Sequence, residues 1–123
     1  MKYFFFALLI SFLVVPAYAQ NSGEFEIARA KYRGGGDWYN DPSSLTNLIK
    51  YAKEQLPIQV NAKYKDVSIG SSDLHSYPFV FLTGHGNISI NNSEANNLRT
   101  YLENGGFLYI DDDYGIDEYA RKM

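Results

Sequence analysis

Pro78-Phe79-Val80-Phe81-Leu82-Thr83-Gly84-His85-Gly86 (residues 78–86) is the stretch on which the fold turns. A continuous apolar run bounded by turn signals is the pattern of a strand buried on both faces, and such strands belong to parallel sheets covered by helices. The glycines around His85 then let the chain bend sharply where the strand ends. In an open α/β sheet, ligands bind outside the carboxyl ends of the strands, so the Thr83-Gly84-His85-Gly86-Asn87 loop marks one wall of a polar site.

Upstream, Phe25 to Tyr32 places Phe25 and Ile27 on one face and Ala28, Ala30 and Tyr32 on the other, as a first strand covered on both sides. The loop Gly34-Gly35-Gly36-Asp37-Trp38-Tyr39-Asn40 follows it. Asp41 then caps a helix with Pro42 at its first position, and Leu45, Leu48, Ile49, Ala52 and Leu56 repeat with helical spacing until Pro57. Ile58 to Val60 reads as a short second strand, with a further short strand around Val67 and Ile69. Downstream of residue 86, Ser93 caps a helix from Glu94 to Asn104, whose inner face uses Ala95, Leu98, Tyr101 and Leu102 and whose exit is Gly105-Gly106. Phe107 to Ile110 is the next buried strand, followed by the third polar loop, Asp111-Asp112-Asp113-Tyr114-Gly115. Strands alternating with helices imply an α/β domain, doubly wound, with a parallel sheet and right-handed crossovers. Asp117 to Met123 opens a helix that stops after about two turns, too short to be stable unless packed. A doubly wound sheet of so few strands is expected to be incomplete at its C-terminus.

At the other end, Lys2 precedes an apolar run from Phe4 to Val15, then Pro16 and the small-x-small triplet Ala17-Tyr18-Ala19. This is the layout of a secretory signal peptide over residues 1–19, because the run falls short of the ~18 apolar residues a spanning helix needs. The expected mature chain, residues 20–123, forms one domain, exported to the periplasm or the extracellular space, with no stable membrane span. Loss of Lys2 leaves 10 basic against 14 acidic residues, a net charge of −4 without a basic cluster, which argues against nucleic-acid partners. Cysteine is absent, which excludes disulfides, thiolate nucleophiles and Cys-ligated metals. Oligomeric state has no signature in the sequence.

The three loops supply the candidate chemistry. Gly34 to Gly36 matches neither phosphate-binding fingerprint, so Gly35 and Gly36 are either residues of a flexible turn with positive φ or part of a ligand-binding loop. Trp38, Tyr39 and Tyr114 offer ring faces that pack on the core or stack on a ligand such as a sugar. His85 is placed to act as a base or ligand contact, flanked by Gly84, Gly86 and Asn87. Asp111, Asp112 and Asp113 alternate in direction if the strand persists, so they cannot share one partner. One of them could orient His85 by hydrogen bond, accept a substrate hydroxyl, or ligate a hard cation together with Asp37. Neither H-E-x-x-H nor EF-hand spacing is present, and no metal or cofactor is assigned. Thr83 and Ser89 lie outside any G-x-S-x-G elbow, which leaves serine-hydrolase chemistry without support.

The segments Lys31 to Pro42, Tyr77 to Gly86 and Gly105 to Asp112 resemble a bacterial family known as domain of unknown function number 4159, across nearly the whole mature chain. That family is similar in turn to the class I glutamine-amidotransferase-like and ThuA-like group, which implies a flavodoxin-like fold. By this resemblance, Gly84 and Gly86 correspond to an oxyanion-hole loop and Asp112 or Asp113 stands near the elbow that carries a catalytic Cys. The missing Cys removes thiolate amide transfer, so only scaffold and site location carry over. Beside a non-catalytic interaction module of the cell envelope, whose loops are ordered for packing, two functions are weighed. The first is a ligand-binding or pseudoenzyme-like module for a small molecule or carbohydrate. The second is a hydrolase-type enzyme using His85 and Asp112, acting on carbohydrate or assisted by a metal.

Overall fold

The computed structural model describes residues 23–122, and the signal peptide expected over residues 1–19 lies outside them. Its sheet contains β1 (Ile27–Lys31), β2 (Lys65–Ser68), β3 (Phe79–His85) and β4 (Phe107–Tyr114) in the order β2-β1-β3-β4, with every neighbouring pair parallel. The helices are α1 (Ser44–Gln55), α2 (Asn92–Glu103) and the short α3 (Asp117–Ala120), with a 3-10 turn at Ser72–Ser76.

The strands build two cores because alternate side chains leave opposite faces. On one face Ile27 and Phe81 meet Leu45, Ile49 and Ala52 of α1 together with Val60. On the other, Ala28, Ala30, Val80 and Leu82 meet Leu98 and Tyr101 of α2, Leu74 of the 3-10 turn and Ile116. Each fully buried aliphatic side chain contributes about 1.5–3 kcal/mol through removal from water, which fixes the register of the sheet against both layers. Among the described residues no helix is long and apolar enough to cross a membrane.

Several element boundaries differ from the sequence expectation. The second strand is Lys65–Ser68, whereas Ile58 to Val60 contributes a single bridge from Val60 to Phe25. Val60 and Val67 are both buried, and what distinguishes the later segment is its continuous pairing with β1 from Ala28 to Lys31. Helix α1 begins at Ser44, after the expected cap. Asp41 instead takes a left-handed φ of 51° ahead of Pro42, a conformation asparagine and aspartate tolerate best, and its carbonyl accepts from the Ser44 amide. Of the helical apolar set, Leu48 and Leu56 are exposed. At α2 the cap is Asn91 and not Ser93. The Asn91 side chain accepts from the Glu94 amide while Glu94 accepts from the Asn91 amide, a reciprocal box that satisfies two orphan donors. Thr83 to His85 and Asp111 to Tyr114, expected as loops, are strand residues.

The chain leaves β1 for β2 in one direction and β3 for β4 in the other, so the order reverses between β1 and β3. Such a reversal marks the sheet rim at the carboxyl ends of β1 and β3 as the place where open α/β sheets bind ligands.

Candidate functional site

His85 ends β3 at this rim, and two segments, the one after β1 and the end of β4, converge on its imidazole. Asp37, in the segment after β1, receives both the His85 backbone amide on Oδ1 and Nδ1 on Oδ2, the latter at 2.9 Å. On the opposite edge of the ring, Nε2 lies 3.0 Å from Asp113 Oδ2 of β4. Asn40 Nδ2 donates to the same Asp113 oxygen. The Asn40 amide also lies 3.3 Å from His85 Nδ1, a proximity that makes no bond while Nδ1 gives its proton to Asp37. An imidazole with a carboxylate on each nitrogen is satisfied in full only as the imidazolium, in which both nitrogens donate. Accordingly the Asp37 hydrogen bond holds His85 above its usual value against the opposing effect of desolvation, and the charges of Asp37, Asp113 and Asp41 add to it. The His85 amide and ring hold the Asp37 carboxyl below the usual carboxylate range.

Asp113 reaches the ring through an irregularity of the ladder. Gly84 pairs with Asp112 but His85 pairs with Tyr114, which leaves Asp113 as an extra residue on β4. A bulge of this kind bends the strand and re-aims a side chain. Asp112 points elsewhere: its Oδ1 accepts from the Ile116 amide at 2.8 Å and closes the turn into α3. The structure thus brings His85 together with Asp37, Asn40 and Asp113, and it engages Asp112, the expected partner, in a turn. Asp111 lies opposite Thr83 in the ladder.

Over residues 26–123 the chain matches the family model described as domain of unknown function (DUF4159). The chain belongs to that family. No curated protein matches it.

In this DUF4159 domain the glycines serve close approach of two loops. The Gly36 amide donates to the Asn87 carbonyl at 3.1 Å and the Asp37 amide to the His85 carbonyl at 3.3 Å. A Cβ on Gly36 would stand 2.8 Å from both of those carbonyl oxygens, so only glycine lets the segments meet. Gly84, at φ +137°, would drive a Cβ into the Tyr32 hydroxyl. That hydroxyl is buried and donates to the Thr83 carbonyl at 3.1 Å, and burial, with the Asp37 charge second, pushes the phenol up to about 12. Gly35 and Gly86 are exposed with positive φ and meet nothing nearby. Thr83 is fully buried, its hydroxyl without a partner among the described residues, which removes it as a nucleophile.

The aromatic residues divide. Trp38 is half-buried with the Arg29 guanidinium 5.2 Å and the Lys31 ammonium 5.8 Å from its ring centre, so cations already use it. Tyr39, edge-on to Trp38, is 59% exposed and Tyr114 is 81% exposed; these two flank Asn40 and Asp113. Sequence reasoning passed over Asn40 and the Tyr32 hydroxyl. The signal for Tyr32 was a phenol on a buried strand face, which requires a partner. It also passed over Arg29, buried on β1 and held in a bidentate pair with Asp66 at 2.9 and 3.1 Å. The His85 group is partly open to solvent, with the ring 45% exposed. A hollow of about 770 Å³ lies at the opposite rim, around Phe25, Ile58 and Pro78.

Proposed function

We propose that this domain is an exported ligand-binding or pseudoenzyme-like module, and that the rim around His85 takes a hydroxylated ligand of the carbohydrate class. One observation carries the reading: both nitrogens of His85 are occupied by carboxylates at the carboxyl ends of the strands, where the strand order reverses between β1 and β3. A ring so occupied holds the rim together and has no lone pair to offer as a base. Exposed Tyr39 and Tyr114 beside carboxylate and amide acceptors are the groups that stack on a sugar ring and bond its hydroxyls. Export rests on the leader-like residues 1–19, and the mild acidic charge fits no nucleic acid. The parallel order β2-β1-β3-β4 supports the flavodoxin-like arrangement and a relation to the class I glutamine-amidotransferase-like and ThuA-like group, without that group's cysteine. A second reading, a hydrolase-type enzyme, is favoured by the Asp37–His85 pair, which would leave Nε2 as the reactive nitrogen once Asp113 moved away.

Saturation-transfer NMR of the full chain with neutral hexoses, N-acetylhexosamines and their disaccharides tests the binding reading. Transfer to ring protons is expected, and it is lost in Tyr114→Ala and Asp113→Ala at unchanged melting temperature. Absence of transfer to any of the sugars overturns the carbohydrate assignment, and cleavage of any disaccharide during the measurement replaces it with the hydrolase reading.

A further inference from the structure

His85 joins parts of the chain that are distant in sequence: Asp37 and Asn40 precede α1, whereas Asp113 is the extra residue of β4, which the Asn40 amide also reaches directly. We propose that the rim is a pH-operated clamp, in which the His85 imidazolium ties the β1–α1 segment to β4 through Asp37 and Asp113, and loss of its proton leaves Asp113 on the Asn40 amide alone and bares Nε2. The geometry makes the two attachments unequal. Asp37 is held twice, by the His85 amide and by Nδ1, and therefore keeps the Nδ1 proton in place. Asp113 is held by Nε2 and by Asn40, and it sits on a bulge, where the ladder is already interrupted. The proton that departs to solvent is thus the one on Nε2. Its loss turns a lone pair toward the Asp113 carboxylate, an acceptor facing an acceptor, and the weaker attachment opens.

The titratable groups facing the ring are Asp37 and Asp41 from the β1–α1 segment and Asp113 from β4, with the Tyr32 phenol behind Asp37 and Tyr114 paired across the ladder. Helix α1 has no acidic residue in its first turn. All the nearby charges are negative, so each favours the protonated ring. The raised His85 value sets the direction: the clamp is complete below the ~6.5 of an unperturbed histidine and is lost as pH rises through the His85 midpoint. The device follows from the contacts of His85 alone, and its test contains no ligand.

Histidine ring and backbone amide spectra of the ¹⁵N-labelled full chain, followed from about pH 5 to pH 9, provide the measurement. His75→Asn assigns the two imidazoles. The His85 ring is expected to titrate above its midpoint in concentrated urea, with the amides of Asp113 and Tyr114 shifting at the same midpoint. Their exchange protection should fall about tenfold for each unit by which the closed rim's midpoint exceeds that of the open rim. Asp113→Asn should lower the midpoint and leave those amides pH-independent. A His85 midpoint equal to that in urea, or a titration that leaves the Asp113 and Tyr114 amides unmoved, overturns the clamp. The wild-type titration decides this even if the variant fails to fold.

Discussion

Replacing Gly84 by alanine should be the most damaging single methyl addition at the rim. Gly84 sits at φ +137°, and the added Cβ would enter the space of the Tyr32 hydroxyl, with the Asp37 carbonyl oxygen 3.0 Å away. Forcing an L-residue into that backbone region costs about 1–3 kcal/mol. Pushing the Tyr32 hydroxyl off the Thr83 carbonyl leaves a buried donor and acceptor unmade, a further ~1–3 kcal/mol. The sum, about 4 kcal/mol, is a large part of the ~5–15 kcal/mol that holds a domain of this size. It corresponds to a fall in melting temperature of about 15–30 °C. Urea denaturation of Gly84→Ala, Tyr32→Phe and the double variant separates the two causes. Phenylalanine removes the atom that clashes but not the backbone strain, so the double variant should recover about 1–2 kcal/mol relative to additivity. A loss below about 1 kcal/mol in Gly84→Ala, or strict additivity with Tyr32→Phe, would refute the close-approach account.

Acid should weaken the fold through Asp37: its folded value lies below the ordinary one, so the stability it adds is present above about pH 4 and is lost as pH falls through the depressed value. Asp37→Asn should flatten the acid limb of the urea midpoint measured against pH, and an unchanged acid limb would remove the aspartate from that role. On the α1 side of the sheet, Asp66→Ala strips the partner from the buried Arg29 and is expected to cost about 1–3 kcal/mol, discounted because the Asp66 side chain is 35% exposed. The double variant Arg29→Met with Asp66→Ala should melt above Asp66→Ala alone, since no unpaired charge is then buried, and a lower melting point would contradict this.

Much of the architecture was legible along the chain. The run Phe79 to Leu82 had to be a covered strand because each of its side chains needs an apolar neighbour, and β3 is the central strand on which β1 and β4 pair. The face assignments of Ala28, Ala30 and Tyr32 followed from a period of two, and those of Leu45, Ile49 and Ala52 from the helical repeat. The second strand was legible only in part, since Ile58 to Val60 and the residues around Val67 carry equally short apolar signals. Continuous pairing with β1, against a single bridge from Val60 to Phe25, chose between them.

The candidate site was a matter of three loops of suitable composition, and composition could place Asp37, His85 and the aspartate run at the same rim. Which aspartate meets the imidazole was beyond it. Alternation gives neighbouring carboxylates opposite directions, but the choice of Asp113 over Asp112 depends on one unpaired residue in the ladder between β3 and β4 and on the demand of the Ile116 amide for an acceptor. Local periodicity comes from the geometry of one segment and is therefore written in that segment. Partnership across a sheet arises from register between strands distant in sequence, and it exists only once the layers have packed.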